Sequence, residues 1–224
     1  MKTFLKLSAA LAVTAFVGVS VSALAQTMKK TEPAKKAAAE PAAKKADPAV
    51  VEAYLKNTFG KAPPEWQARI VPDDTLKTCN AAHNDVASKD ADKIVKAELA
   101  KVVYPADGKF LGDWKEGRKV ANNGRGGQFS DPEGTVAGGN CYACHQMSKT
   151  EISFGTIGPS LYQFGKLRGN SDAIQRYTWG KVWNAQAYNA CSNMPRFGHK
   201  GILTETQIRD VTALLLDPAS PVNQ

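Results

Sequence analysis

Apolar residues in the middle of the chain recur at helical spacing, and the first such run follows Pro48. The largely apolar segment from Ala49 to Leu55 comes directly after Pro48, a residue that suits the first turn of a helix. Gly60 is a typical stop signal. The pattern therefore predicts a helix between Pro48 and Gly60.

A second helical region spans residues 74–103 and is rich in Ala, Lys and Asp. Its polarity predicts a break near residues 88–92, giving two helices in place of one. Tyr104-Pro105 closes the region, because the residue before a proline disfavours helical geometry. The positions expected to face inward are Leu76, Cys79, Ala82, Val86, Ile94, Val95 and Leu99.

Two more helices are predicted later in the chain. A short one covers residues 112–120, where Gly117 costs about 1 kcal/mol relative to Ala and so indicates a close helix crossing, unless it is merely tolerated. Thr204 and Gln207 form a capping-box signal for a last helix that Pro218 ends. Its inward face consists of Ile208, Val211, Leu214 and Leu215. We expect the two helices to pack together.

The chain between these helices has the composition of loops. Six Gly and one Pro lie between residues 122 and 140, which predicts a long loop. Apolar residues almost never alternate with a period of two beyond Pro48. The sequence therefore predicts a mainly α fold.

The amino terminus has the pattern of an export signal. Lys2 and Lys6 precede an apolar stretch over residues 5–21, and Ala23-Leu24-Ala25 matches a small-residue cleavage site. We expect a signal peptide over residues 1–25, cleavage after Ala25 and a protein of the bacterial periplasm. An uncleaved anchor is the alternative, but the stretch is short for a membrane span, and no stable membrane insertion is expected.

Charge adds a feature that the apolar pattern does not show. The chain carries 29 Lys and Arg against 21 Asp and Glu, a net charge of +8. Residues 26–48 are mostly Lys, Ala, Pro and Glu and have a net charge of about +3, which predicts a solvated tether outside the core. Nucleic-acid binding is not expected of an exported chain, so the tether is a spacer or an arm for an acidic partner.

The strongest chemical signal is the run Cys141-Tyr142-Ala143-Cys144-His145. A C-x-x-C-H run in an exported chain is the attachment signature of a c-type haem, in which two thiols bind the porphyrin and the histidine ligates the iron. A thioredoxin-like redox pair would need a βαβ context, and a zinc site would need a second close ligand pair. We therefore predict one covalently bound haem c on Cys141 and Cys144, with His145 as an axial ligand.

The sixth iron ligand decides what such a haem does. The candidates are Met147, Met194, His83 and His199. Met147 is too close to His145 in sequence to reach the opposite haem face, and His83 is expected at the surface. Met194 lies in an irregular Asn193-Met194-Pro195 loop and is the predicted ligand, with core packing as its alternative role and His199 as the alternative ligand.

Two cysteines remain, Cys79 and Cys191. Two cysteines left over in an oxidising compartment favour a disulfide. The bond would close a loop of about 110 residues and would stabilise the fold by up to about 4.7 kcal/mol. A buried reduced pair and a reactive thiol at Cys191 are the alternatives. No basic residue closely flanks Cys191 to stabilise a thiolate, so the disulfide is preferred.

Four segments of the chain carry a recognisable combination: residues 139–146, Ile157-Gly158-Pro159-Ser160-Leu161, Trp183-Asn184 and Asn193-Met194-Pro195-Arg196-Phe197-Gly198. Together they resemble the SoxX family of monohaem c-type cytochromes. The resemblance covers about residues 110–218. The first and last elements are shared with most class I cytochromes c, and the combination is more specific.

The resemblance implies a class I cytochrome c fold over residues 109–224, with a helical extension over residues 49–108 that faces a partner subunit. It also implies that the Pro159 carbonyl accepts a hydrogen bond from the imidazole of His145 and fixes the ring.

SoxX proteins form a heterodimer with the haem subunit SoxA in the SoxAX complex of sulfur oxidation. That enzyme, an L-cysteine S-thiosulfotransferase, joins thiosulfate oxidatively to a cysteine of the SoxYZ carrier. The resemblance implies that the catalytic cysteine belongs to SoxA, and that this chain accepts electrons and passes them to a small soluble cytochrome. A stand-alone periplasmic electron carrier is the main alternative, and a ligand-binding sensor haem is a third hypothesis.

Overall fold

The computed structural model describes residues 47–128 and 130–224, which are mainly α-helical and contain no strand. The predicted signal peptide and nearly all of the predicted tether lie outside the described residues. The helices are α1 (Pro48–Phe59), α2 (Pro64–Ile70), α3 (Asp74–Ala81), α4 (Ser88–Leu99), α5 (Trp114–Asn122), α6 (Phe164–Arg168), α7 (Asp172–Trp183) and α8 (Glu205–Leu216). Short 3₁₀ turns occur at Cys141–Ala143, Ala185–Ala187 and Pro221–Asn223.

Helix α1 has the predicted bounds. The side chain of Asp47 accepts a hydrogen bond from the amide of Ala49 at 2.9 Å, Pro48 is the first helical residue, and Gly60 caps the end. No residue of α1 is buried, and Val50 and Tyr54 are 65% and 64% exposed. Helix α1 therefore adds little to the core.

The second helical region is divided, but the predicted break near residues 88–92 is wrong. The chain leaves α3 through His83 and Asn84, whose φ angles are 51° and 63°, and the Asn84 amide donates to the carbonyl of Cys79 at 2.8 Å. Ser88, expected within the break, begins α4. The left-handed conformation of these two residues sets the turn, and Asn and His adopt this conformation more readily than most residues.

One predicted inward position of α4 is also wrong. Ile94 is buried as expected, but Leu99 is 43% exposed and Glu98 is fully buried in its place. Glu98 follows Ile94 by four positions, so both residues lie on the same helix face. The helix is rotated to satisfy the Glu98 carboxylate rather than to bury Leu99.

Helices α5 and α8 cross closely at Gly117. A Cβ atom at this position would overlap the carbonyl oxygen of Asp210, so the crossing requires glycine. The predicted capping box at the start of α8 is present, with reciprocal bonds between Thr204 and Gln207. Ile208 of α8 is fully buried.

Apolar side chains form two main clusters around α8. The first contains Val102, Phe110, Val120, Trp179, Val182, Ala187, Phe197, Leu203, Ile208 and Val211. The second contains Ala121, Met147, Leu214, Leu215, Leu216 and Val222. The described residues between 123 and 140 contain no helix or strand, as the glycine pattern predicted, and the 3₁₀ turn Cys141–Ala143 follows them. In the described ranges no helix is long and apolar enough to cross a membrane.

Candidate functional site

The C-x-x-C-H run forms a compact turn. Asn140 takes a left-handed conformation with φ 46°, and the amides of Cys144 and His145 both donate to the carbonyl of Cys141, at 3.1 and 2.9 Å. Neither Cys141 nor Cys144 takes part in a disulfide. The turn thus presents two thiols and one imidazole from five consecutive residues.

Cys141 is partly buried, and burial raises the pKa of its thiol to about 12. Within residues 47–128 and 130–224, no three Cys, His, Asp or Glu side chains form a group that could hold a metal ion.

The imidazole of His145 is held in one orientation. Its Nδ1 atom lies 2.7 Å from the carbonyl oxygen of Pro159, the contact that the family resemblance implies. Because a carbonyl oxygen can only accept, we assign the proton to Nδ1, which leaves the lone pair of Nε2 free to bind a metal. The ring also lies directly against Gly158, where a Cβ atom would overlap ring atoms.

Two backbone hydrogen bonds hold the loop that supplies this support. The amide of Gly155 donates to the carbonyl of Tyr142, and the amide of Gly158 donates to the carbonyl of Cys144, both at 2.9 Å. Gly155 itself lies against the backbone of Ala143. The segment over residues 155–159 is therefore built onto the C-x-x-C-H turn.

The structure separates the candidates for a sixth ligand. Met147 is fully buried in the second apolar cluster, and His83 is exposed on the turn after α3. Met194 is half-buried and packs against the first apolar cluster. His199, five positions after Met194 in the chain, is also half-buried. Its amide donates a hydrogen bond to the carbonyl of Trp183 at 3.0 Å. Burial, followed by the charge of nearby Arg196, lowers the pKa of His199.

Met194 and His145 belong to different parts of the site. Met194 packs with the first apolar cluster, whereas the His145 ring lies against Gly158 and Pro159. The Oδ1 atom of Asn193, the residue before Met194, accepts a hydrogen bond from the Nδ2 atom of Asn84 at 3.4 Å.

The structure contains the predicted disulfide between Cys79 and Cys191, with Cα atoms 5.4 Å apart. It joins α3 to the residues that lead into the Met194 loop. The bridge lies in a small apolar cluster with Ile94, against which Val86 and Ala190 pack.

Two buried polar atoms have no partner among the described residues: Nε1 of Trp183 and Oε1 of Gln186. The Trp183 indole stacks on Trp179 with ring centroids 5.9 Å apart, and it also lies against Gly198, where a Cβ atom would overlap the ring. A buried indole N–H without an acceptor is costly and is suited to an acidic group of a bound molecule. The thiols of Cys141 and Cys144 and the Nε2 atom of His145 are the groups that a covalently attached haem would use, and the Trp183 N–H could serve one of its carboxylates.

Sequence reasoning missed a buried ionic network around Glu98. The carboxylate accepts from Thr75 at 2.6 Å and from Asn184 at 2.7 Å, and it pairs with Lys101 at 2.7 Å and with Arg196 at 3.3 Å. The only local signal was a charged residue four positions after buried Ile94, on a face otherwise expected to be apolar.

Two carboxyl groups of this network have lowered pKa values. Burial raises the pKa of Glu98, but hydrogen bonds from Lys101, Thr75 and Asn184 together outweigh it and lower the value to about 2. The pKa of Asp73 is also lowered, because bonds from the Leu76 amide, Arg196 and Lys200 outweigh its burial.

Comparison with known proteins gives a relative without a described activity. No family model matches the chain. An uncharacterized lipoprotein of Aquifex aeolicus is 33% identical over 180 residues, which cover 79% of this chain and 84% of that protein. At this identity and coverage, the chain belongs to the same family as the Aquifex lipoprotein.

Proposed function

We propose that this chain is a SoxX-type, class I cytochrome c that carries one covalent haem c and accepts electrons within a SoxAX complex. The observation that carries the proposal is the support of His145, which has Gly158 against its ring and Pro159 at its Nδ1 atom. This arrangement leaves Nε2 as the free ring nitrogen, in the same turn as Cys141 and Cys144.

Each residue of the site has a distinct role in this proposal. Cys141 and Cys144 would attach the haem, and His145 and Met194 would ligate its iron. The bound haem supplies a one-electron redox centre whose potential is raised by a thioether ligand. The Pro159 carbonyl accepts a hydrogen bond from the Nδ1 N–H of His145 and thereby fixes the orientation of the ring. The N–H of Trp183 provides a buried donor for a carboxylate of the haem.

The reaction belongs to the complex as a whole. By the family resemblance, SoxA provides the cysteine at which thiosulfate is joined oxidatively to a SoxYZ cysteine, and two electrons are released. This chain accepts them one at a time and passes them to a small soluble cytochrome. It needs no nucleophile of its own for this task.

Export to the periplasm is part of the proposal. The signal-peptide pattern over residues 1–25 supports it, as does the name of the Aquifex relative, because a lipoprotein is an exported protein. Covalent haem attachment to a C-x-x-C-H run is consistent with the same compartment.

Native mass analysis of the protein purified from a haem-maturing bacterial periplasm tests the proposal. We expect one covalent haem, a mature chain that begins at Gln26, and co-purification with a haem-bearing partner. The double variant Cys141→Ala, Cys144→Ala is the control and should carry no covalent haem. A haem-bearing monomer would favour the stand-alone electron carrier, and a chain without haem would refute both functions.

A further inference from the structure

The loop that carries Met194 is attached to helices α3 and α4 on both sides of the methionine. On the amino-terminal side, Cys191 is bonded to Cys79, and the Asn193 side chain contacts Asn84. On the carboxy-terminal side, Arg196 pairs with Asp73 at 2.6 Å and with Glu98 at 3.3 Å. The described part of the extension thus holds this chain's own loop.

Apart from this attachment, few described contacts hold residues 192–195: the Ser192 amide donates to the carbonyl of Asn189 at 3.2 Å, and Met194 packs against the first apolar cluster. The Met194 amide donates only to the hydroxyl of Ser192, at 3.3 Å, and Pro195 has no N–H to donate. Cys191 takes a positive φ of 56°, which is unfavourable for a residue with a side chain. Asn193 and Pro195 are exposed, so packing adds little at these positions.

Arg196 forms the buried ionic attachment of the loop. Its side chain is only 4% exposed, and the two carboxylates with which it pairs, those of Asp73 and Glu98, belong to the extension. Glu98 is completely buried and is also bonded to Thr75 and Asn184, so its carboxylate has a fixed position. Breaking such a buried pair on one side leaves the other charge uncompensated.

We propose that Glu98 is a positioning residue that holds Arg196 and thereby keeps the Met194 thioether at the haem iron. The proposal rests on the proposed function, because it needs a haem with Met194 as ligand. In this role Glu98 of α4 affects the haem through Arg196 and the Met194 loop, without contacting the haem itself. Weakening the attachment opens the sixth iron position for part of the time and allows external ligands to bind.

Glu98→Gln is the direct test because it preserves side-chain size but removes the charge that faces Arg196. Glu116→Gln is the matched control, since Glu116 forms an exposed pair with Lys119 at 2.7 Å. Val222→Ala is a second control, because it removes fully buried volume in the second apolar cluster without touching the Met194 loop. Met194→Ala gives the response of a haem without its sixth ligand.

The measurement is carbon monoxide binding to the reduced holoprotein, together with the midpoint potential. We expect Glu98→Gln to bind carbon monoxide about tenfold faster than wild type and to have a lowered potential, approaching Met194→Ala. Both controls should resemble wild type. Should Glu98→Gln not fold, Arg196→Lys serves instead, because lysine cannot bridge Asp73 and Glu98 with a planar fork.

The outcomes distinguish a failure of Met194 ligation from a failure of the positioning role. If wild type already binds carbon monoxide as fast as Met194→Ala, ligation by Met194 is wrong and the positioning role falls with it. If Met194→Ala differs from wild type but the Glu98 and Arg196 variants do not, the haem function stands and the positioning role is refuted. An equal effect in Val222→Ala would also refute it, because general destabilisation would then explain the change.

Discussion

Acidification should remove the stabilisation that the buried Glu98 carboxylate provides. The carboxyl group has a pKa of about 2 in the folded protein, below its ordinary value of 4.5. A group with a lowered folded-state pKa stabilises the protein fully above its unfolded value and loses this effect as the pH falls through the folded value. The relevant window is therefore from about pH 4.5 down to about pH 2.

The size of the effect follows from the same two values. The difference between 4.5 and about 2 corresponds to a total of about 3 kcal/mol, of which about 2 kcal/mol is lost by pH 3. Glu98 is completely buried, so solvent screens these interactions little. Glu98→Gln has no carboxyl group at this position and should lack this part of the pH dependence.

Urea unfolding of wild-type and Glu98→Gln holoprotein at several pH values between 7 and 3 measures the effect. The advantage of wild type in free energy of unfolding should shrink by about 2 kcal/mol across this range. Glu116→Gln provides the control because its ion pair with Lys119 is exposed, and its difference from wild type should change little across the whole range. An advantage that stays constant down to pH 3 would show that the Glu98 network does not lower the carboxyl pKa as described.

Three further substitutions test the site and the fold. Gly158→Ala should reduce covalent haem incorporation, measured by intact mass, because the new Cβ atom would overlap the His145 ring. Full incorporation would contradict the position proposed for the imidazole. Replacing Cys79 and Cys191 by Ala should lower the urea midpoint, with a loss of up to about 4.7 kcal/mol, and an unchanged midpoint would refute a stabilising disulfide. Gly117→Ala should cost about 1–3 kcal/mol in thermal unfolding, since the methyl group meets the α8 backbone; a stabilised variant would refute the close crossing.

Features with a local cause were predictable from the sequence. The bounds of α1 follow from Asp47, Pro48 and Gly60, and the start of α8 follows from the Thr204–Gln207 capping box. The disulfide followed from the number of cysteines and the expected compartment rather than from geometry.

Features that depend on distant partners were not predictable. The burial of Glu98 requires Arg196, which is 98 residues away in the chain, and a helical pattern alone places an apolar residue there. The same partner explains why Leu99 faces solvent, because satisfying the carboxylate determines the rotation of α4. The break between α3 and α4 depends on positive φ angles at His83 and Asn84, which propensity does not specify.

The most direct test of the proposed function is the redox state of this chain's haem during thiosulfate oxidation. The holoprotein is combined with SoxA, and thiosulfate and SoxYZ are added while haem absorbance is recorded. We predict that the haem of this chain is reduced only when SoxA, SoxYZ and thiosulfate are all present. A haem that stays oxidised while thiosulfate is joined to SoxYZ would contradict its role as electron acceptor.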